Sequence, residues 1–540
     1  MASPTPAPMP MGLGVEIDRA VRLTDEGHVL VGGSPPRALR LPPQGVSAVI
    51  RWLSGAALGR HRERQLARVL VEAGLAHPRP APTAPGPDVE VAVVGSGHHS
   101  ELETVLDLIA DEYPYLRLVV VGAVGLAARV ARERGLRVVS TSVDGPMTGA
   151  QARAAALKAC DAEIIALLDA DTLPGPGWLE AALGHFTDPD VAAVVPRVLA
   201  ARTRCGPRGM TVSALNALHA DRGADPAPIL PWGQGHHGLG QPAPPNEHAS
   251  VEPLEPVRTL FVRRGTADSD PSLGAAAEVD LLWRLAGEGW SVRYEPRSRV
   301  YAVMPTGIGS YLRARFDAGA AAGPLARRHG RRAAGPELSL SGAAGLGLAL
   351  AGRPLTGLAV CAAGGALRVR GLINGAGVPA VDALRPVAVE LVHTARTAAR
   401  VARTSWWPVV AAVAAGGAVA GIRPGARPGI RSGARPGPGW PGRRALAAAA
   451  VLTVPHLLSW RRRHGAAPVG PVVWTGLSVA GDAARSLGTW WGMARVGSAA
   501  PLVPRGRPPV LSTSLQSSQV AGGAEGLADK PGSLAVVSER

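Results

Sequence analysis

The stretch Glu163-Ile-Ile-Ala-Leu-Leu-Asp-Ala-Asp-Thr-Leu-Pro-Gly-Pro-Gly-Trp178 constrains this chain more than any other. Its apolar run, Ile164 to Leu168, is too short for a helix and is bounded by turn residues, so it reads as a buried strand. Asp169 and Asp171 stand at the end of that strand. Pro174, Gly175, Pro176 and Gly177 then force a turn, and Trp178 to Phe186 resumes with helical spacing. Two acids one residue apart at the carboxyl end of a buried strand can hold a hard divalent cation, which in turn neutralises a diphosphate. Ligands of open α/β sheets sit beyond the carboxyl ends of strands, so placement and chemistry agree. The same aspartates can also do no more than cap the next helix.

The residues before this stretch alternate between apolar strands and helical patterns. Strands are expected at Val89–Val94, Leu116–Val121 and Leu136–Ser140, with helices at Glu101–Ala110, Ala127–Arg134 and Ala150–Ala159. Such alternation builds an α/β fold with a mainly parallel sheet and crossover helices. Further on, Val257–Arg264 reads as a strand. Ala276-Ala-Glu-Val-Asp-Leu-Leu-Trp-Arg-Leu285 reads as a helix with Glu278 and Asp280 in its first turn. Carboxylates there interact well with the helix N-terminus. A carboxylate at a pocket-facing helix start also suits a general base that takes a proton from an attacking hydroxyl.

Leu167-Leu-Asp-Ala-Asp-Thr-Leu-Pro-Gly-Pro-Gly-Trp178 resembles the donor-site segment of family 2 glycosyltransferases of GT-A fold. Continued to Phe186-Thr-Asp-Pro-Asp-Val-Ala-Ala-Val-Val-Pro-Arg197, it is similar to one branch, the mycofactocin-system glycosyltransferases, and the order of segments agrees from about Val21 to Pro504. The resemblance implies inverting transfer of a hexose, glucose in that branch, from a nucleotide sugar to a peptide-derived redox cofactor or its precursor. It implies that Asp169 and Asp171 hold Mg²⁺ or Mn²⁺ and the diphosphate, that Arg153 helps bind the donor, and that Glu278 is the base.

The chain departs from that pattern at four places. Val121-Gly122-Ala123 lacks the aspartate that relatives place after the second strand. Ala152-Arg153-Ala154 stands for Ala-Arg-Asn, and Ala277-Glu278 stands for the Glu-Asp pair. Val300-Tyr-Ala-Val-Met-Pro305 carries no histidine near its proline. These losses keep open a degenerate, non-catalytic paralogue that binds peptide or membrane. The apolar C-terminal region keeps open a glycosyltransferase for a lipid or cell-wall acceptor.

The expected division is a disordered start over 1–14, a small module over 15–77, a proline-rich linker over 78–87 and the catalytic domain over 88–332. An apolar, basic helical region over 333–503 comes next, and then a disordered tail over 504–540. In the module, Val21–Gly33 reads as a hairpin turning at Asp25-Glu26-Gly27, with helical patterns at Val46–Leu53 and Arg62–Ala73. This resembles winged-helix peptide-recognition domains, and a domain that merely packs on the enzyme is the alternative. Ala214 to about Pro256 reads as a Pro/Gly/His-rich loop whose Gly235-His-His-Gly238 holds structural or solvated histidines, or metal ligands if other partners join them.

The formal charge of +16 lies largely in the last third beside apolar runs, and only 4% of residues are aromatic. No basic stripe is interleaved with aromatics, so the expected partner is an anionic membrane surface and not nucleic acid. The apolar runs Leu338–Gly352, Leu355–Leu367, Trp406–Ile422 and Ala445–Trp460 are each shorter than the roughly twenty residues of a comfortable span. Cys160, Cys205 and Cys361 lack metal-ligand spacing and suit a reducing compartment. No signal sequence is visible, so the expected location is the cytoplasmic face of the plasma membrane.

Overall fold

The computed structural model describes residues 7–32, 37–95, 99–140, 146–201, 205–229, 257–330, 337–350, 353–376, 380–422, 440–463, 469–503, 505–506 and 511–514. The chain opens with β1 (Gly14–Ile17), β2 (Arg22–Thr24), β3 (Val29–Gly32), β4 (Arg37–Arg40), α1 (Pro43–Leu53), α2 (His61–Glu72) and β5 (Ala76–Arg79). The β2–β3 hairpin turns at Asp25, Glu26 and Gly27, all with positive φ. Leu30 and Leu39 from the sheet meet Val49, Trp52, Leu66 and Leu70 from the helices in one core. Strand β1 pairs with β5, so Pro78 and Arg79 belong to a ribbon and not to a linker.

The start is not disordered from residue 7 onward. Met9 is 1% exposed in the core of this module. Arg64 and Arg68 donate to the carbonyls of Met9 and Ala7, and Gly12 N–H bonds to Leu58. Apolar burial and backbone pairing outweigh the ordering cost that the proline-rich composition suggested.

Charge ties the module to the catalytic region. Buried Arg68 donates to both oxygens of Asp188 at 2.8 Å, and Arg293 reaches Glu72 at 2.8 Å. Removing one partner of such a buried pair costs about 3–5 kcal/mol, because the other charge is stranded.

The catalytic region itself runs β6 (Val89–Val94), α3 (His99–Glu112), β7 (Arg117–Val121), α4 (Gly125–Glu133), β8 (Arg137–Val139), α5 (Gly149–Ala159) and β9 (Ile164–Asp169). After β10 (Thr172–Pro174) and α6 (Trp178–Leu183) come β11 (Val191–Ala200), α7 (Pro207–Ala220), β12 (Ala227–Pro228) and β13 (Thr259–Arg263). It closes with α8 (Ala277–Gly287), β14 (Ser291–Ala302), α9 (Ile308–Ala320) and α10 (Ala322–His329). The strand order is β10-β14-β11-β13-β9-β6-β7-β8, with β12 beside β14. Strands β8, β7, β6 and β9 run parallel to one another, as the βα alternation requires. Beyond β9 the sheet is mixed, because β13 runs antiparallel to both β9 and β11 while β11 and β14 are parallel. Every residue of β6 is buried, and helices cover both faces of the sheet. Residues 207–220, the start of the expected loop included, form a helix, and Gly235–Gly238 lies outside the described residues.

The last third contains β15 (Glu337–Leu338), α11 (Leu340–Leu350), α12 (Pro354–Ala376), α13 (Ala380–Thr404), α14 (Trp407–Ile422), α15 (Trp440–Arg463), α16 (Pro471–Val496), β16 (Arg505–Gly506) and β17 (Leu511–Ser514). Helix α16 lies against α9 through Gly481, Gly488 and Gly492, where Tyr311 and the backbone of Phe316 and Ala320 leave no space for a β-carbon. The run expected to end at Leu367 continues as helix to Ala376, because Arg368 bonds to Gly364 and to Ser341 and is accommodated inside it. Among the described residues one helix, over 355–374, is long and apolar enough to cross a membrane. The tail beyond 504 is also not wholly without structure, since residues 511–514 pair with β4, whose edge is otherwise open.

Candidate active site

Strand β9 delivers Asp169 to the carboxyl edge of the sheet, and the short link to β10 places Asp171 beside it. Both are partly open, with side chains 21% and 34% exposed. Helix α5 starts with a capping box, Thr148 accepting from Gln151 N–H while Gln151 returns a bond to Thr148. That fixed start sets the face on which Arg153 points inward.

Arg153 joins the site. Its Nη2 donates to Asp169 Oδ1 at 2.5 Å and its Nη1 to Glu278 Oε1 at 2.9 Å. Residues from three elements of distant sequence thereby meet on one guanidinium. Asp171 Oδ2 accepts from Arg258 Nη1 at 2.7 Å, and its Oδ1 accepts from Thr172 Oγ1 at 3.1 Å. Sequence reasoning missed Arg258. It directly follows Val257, at the N-terminal side of β13, and no local pattern marks it. Arg258 also lines a small cavity with Val195, Pro196 and Val198 of β11.

Burial pushes the Asp169 carboxyl up to about 6, with the Arg153 charge working against the rise. Burial also opposes the charge on Arg153, but Asp169 and Glu278 more than offset it and hold the guanidinium above its ordinary value.

Glu278 is 2% exposed, and its Oε2 has no hydrogen-bond partner among the described residues. A buried carboxylate with one oxygen held and the other open is costly for stability alone. Asp280, fully buried, is used differently. It accepts from His329 Nε2 at 2.7 Å and from Arg284 Nε at 3.0 Å and forms an ion pair with Arg328 Nε at 3.2 Å, so α10 is locked onto α8. Asp280 is saturated, whereas Glu278 is not.

The departures also have structural reasons. Gly122 has φ +83°, and a β-carbon there would lie 3.0 Å from that of Ala152, so an aspartate does not fit this turn. Ala277 and Ala302 are completely buried. No group of three or more metal-ligating side chains occurs among the described residues.

A mixed sheet of this order, with two aspartates at the edge of its central strand, defines a GT-A-like nucleotide-sugar transferase. Residues 102–217 match the glycosyl transferase family 2 profile. The pre-mycofactocin glycosyltransferase of Mycobacterium tuberculosis (strain CDC 1551 / Oshkosh) is 30% identical over 520 residues, covering 91% of this chain and 97% of that protein. Its counterpart in strain ATCC 25618 / H37Rv matches equally. The chain belongs to the family 2 glycosyltransferases and is related to these mycobacterial enzymes. Among solved structures, glucosyl-3-phosphoglycerate synthase from Mycobacterium tuberculosis with Mn²⁺, UDP-glucose and phosphoglyceric acid is 17% identical, covering 43% of this chain and 77% of that one, with a TM-score of 0.28.

Proposed function

We propose that this glycosyltransferase transfers a hexose, with inversion, from a nucleotide sugar to a peptide-derived redox cofactor or its precursor. The observation that carries the reading is the single guanidinium of Arg153 between Asp169 and Glu278, which joins the candidate donor-site acid and the candidate base. The acceptor rests on the mycobacterial relatives, whose similarity extends over 91% of the chain.

Asp169 and Asp171 fit a divalent cation. They are hard oxygen donors at an open sheet edge, and Mg²⁺ and Mn²⁺ sites of this type use one or two carboxylates, with substrate phosphate completing the shell. The arginine on each aspartate supplies the positive charge that the pair demands. When bound, the cation would neutralise the diphosphate as charge builds on it. Asp169 and Asp171 would hold it, while Arg153 and Arg258 turn toward the donor phosphates.

Glu278 then works on the acceptor. Its Oε2 accepts the acceptor hydroxyl's proton as the oxygen forms its bond to the anomeric carbon and the bond to the diphosphate breaks. Arg153 keeps Oε1 engaged, so the free oxygen is the one presented. Positioned base assistance of this kind contributes about 10²–10⁴-fold.

The module over 15–77 supports a peptide acceptor as a recognition domain, and exposed Leu355, Leu358 and Leu367 on α12 support attachment to the cytoplasmic face of a membrane. The same exposed leucines favour a lipid or cell-wall acceptor as the second reading. Incubation of the purified protein with Mn²⁺, UDP-glucose and the peptide-derived precursor tests the proposal. A mass increase of one hexose per transfer is expected. Transfer to a polyprenyl phosphate and not to the precursor would favour the second reading.

A further inference from the structure

The turn that carries Glu278 is not held by its own sequence. Helix α8 begins at Ala276 without a side-chain cap, although such caps are the usual partners of the first amides of a helix. The 3₁₀ turn before it, Pro271–Ala276, is broken at Gly274, which has φ +56° and ψ −127°. A helix start of this kind frays unless another element holds it.

The end of α10 does so. Arg328 Nη1 donates to Asp270 Oδ2 at 2.7 Å, and its Nε pairs with Asp280 Oδ1 at 3.2 Å. One guanidinium thus spans the broken turn, from the residue before it to the first turn of α8. His329 Nε2 bonds to the same Oδ1 of Asp280 at 2.7 Å, and Trp283 meets the His329 ring at a steep angle, with centroids 5.6 Å apart. Helix α10 is itself seated on α16, where a β-carbon at Gly323 would run into the backbone of Gly492. The clamp therefore has a firm base.

Glu278 and Asp280 are two residues apart, hence about 200° apart around the helix. One meets Arg153 and the other meets α10. Whatever fixes Asp280 also fixes the rotation and depth of the turn from which Glu278 projects. Stability alone is a poor reason for this cluster, since a buried ion pair scarcely repays its desolvation and apolar side chains of similar volume often do as well.

We propose that Arg328 and His329 are positioning residues for the base. Without touching donor or acceptor, they hold the first turn of α8 where Glu278 Oε2 meets the acceptor hydroxyl. The proposal rests on the reading of Glu278 as the base.

The test compares full-length His329→Leu, His329→Gln and Arg328→Lys with the natural chain. Leucine removes the bond to Asp280, glutamine keeps a donor of similar reach, and lysine puts one ammonium where a guanidinium bridged two carboxylates. A misplacement of about 1 Å can cost about 10²-fold in rate. Single-turnover hexose transfer from saturating UDP-glucose and Mn²⁺ to the peptide-derived precursor should fall about 10- to 100-fold per folded molecule in His329→Leu, and less in Arg328→Lys. His329→Gln should recover most of the loss. Affinity for UDP with Mn²⁺ should hardly change in any of the three, because only the transition state uses the base. Hydrogen exchange over residues 277–281 should accelerate in His329→Leu and Arg328→Lys but not in His329→Gln. Arg328→Lys, at a partly exposed position, carries the test if His329→Leu does not fold. An unchanged rate per folded molecule, a glutamine variant as slow as the leucine one, or unchanged exchange at 277–281 would overturn the proposal. If the natural chain transfers no hexose, the enzymatic reading fails by itself, and the exchange at 277–281 still decides whether Arg328 and His329 hold the turn.

Discussion

Arg153 grips Glu278 through a 2.9 Å bond from Nη1 to Oε1, and leaves Oε2 of the same buried carboxylate without a partner among the described residues. The other arm of the guanidinium holds Asp169. Arg153 therefore stands in the position of a cation that both carboxylates share, and metal arrival at Asp169 has to compete with it. Arg153→Met removes the competitor. Mn²⁺ alone should bind this variant more tightly than the natural chain by calorimetry, while hexose transfer falls because Glu278 is no longer oriented. Weaker Mn²⁺ binding in Arg153→Met would show that Arg153 helps the metal site form.

Asp171 is the more exposed of the two aspartates, and Arg258 holds its Oδ2. Asp171→Asn keeps the shape but removes the charge. Nucleoside diphosphate binding should then lose its dependence on Mn²⁺, leaving only the metal-free component. Calorimetry with UDP, with and without Mn²⁺, distinguishes this from an unchanged metal response, which would exclude Asp171 as a ligand.

Acid should destabilise the fold through a pair away from the donor site. Burial pushes the His185 imidazole below its ordinary 6.5, and its Nε2 bonds to Glu295 at 2.7 Å. Burial works against ionised Glu295 too, yet hydrogen bonds from His185 and Arg297 hold it at about 2, below the ordinary 4.5. Unfolded His185 takes up a proton as pH falls through 6.5, and unfolded Glu295 does so near 4.5, while both folded groups resist until lower pH. At these two groups the unfolded state binds more protons throughout this window, so their contribution to stability falls as pH falls from about 6.5, while Asp169, raised to about 6, works the other way. The difference in melting temperature between the natural chain and His185→Gln, followed from about pH 7.5 to about pH 4, should therefore narrow as pH falls. A difference that does not change with pH would contradict this.

Much of this arrangement was legible in the sequence, because the signals involved are local. Apolar runs and turn residues mark β6, β7 and β9, and they place Asp169 and Asp171 where they are found. The helical spacing around Glu278 marks α8. Non-local pairings were not legible. Arg153 meets Glu278 across 125 residues, and Arg258 meets Asp171 across 87. No periodicity encodes either contact, just as none encodes the burial of Met9 or the pairing of β17 with β4. Gly481, Gly488 and Gly492 were a readable signal that was overlooked, since spacings of seven and four align them on one helix face.

Membrane attachment is best tested without disturbing those glycines. Ending the chain near Arg332 would strip α16 from α9 and uncover Tyr311, so a truncated protein would aggregate for reasons unrelated to membranes. Substitution on the exposed face of α12 is cleaner. Leu355 and Leu358 are 81% and 67% exposed. The full chain should float with anionic vesicles and resist release by high salt, and Leu355→Glu with Leu358→Glu should make its binding weak and salt-sensitive. Complete release of the natural chain by salt would leave only electrostatic attachment.

Glu278 carries the central claim, and Glu278→Gln tests it most directly. Glutamine keeps the size and the bond from Arg153 but cannot take a proton from the acceptor. Transfer of hexose to the peptide-derived precursor, measured in single turnover with saturating donor and Mn²⁺, should fall by about two to four orders of magnitude. Affinity for the nucleoside diphosphate should hardly change, and Glu278→Asp should retain transfer. Full activity in Glu278→Gln would contradict the assignment of Glu278 as the base.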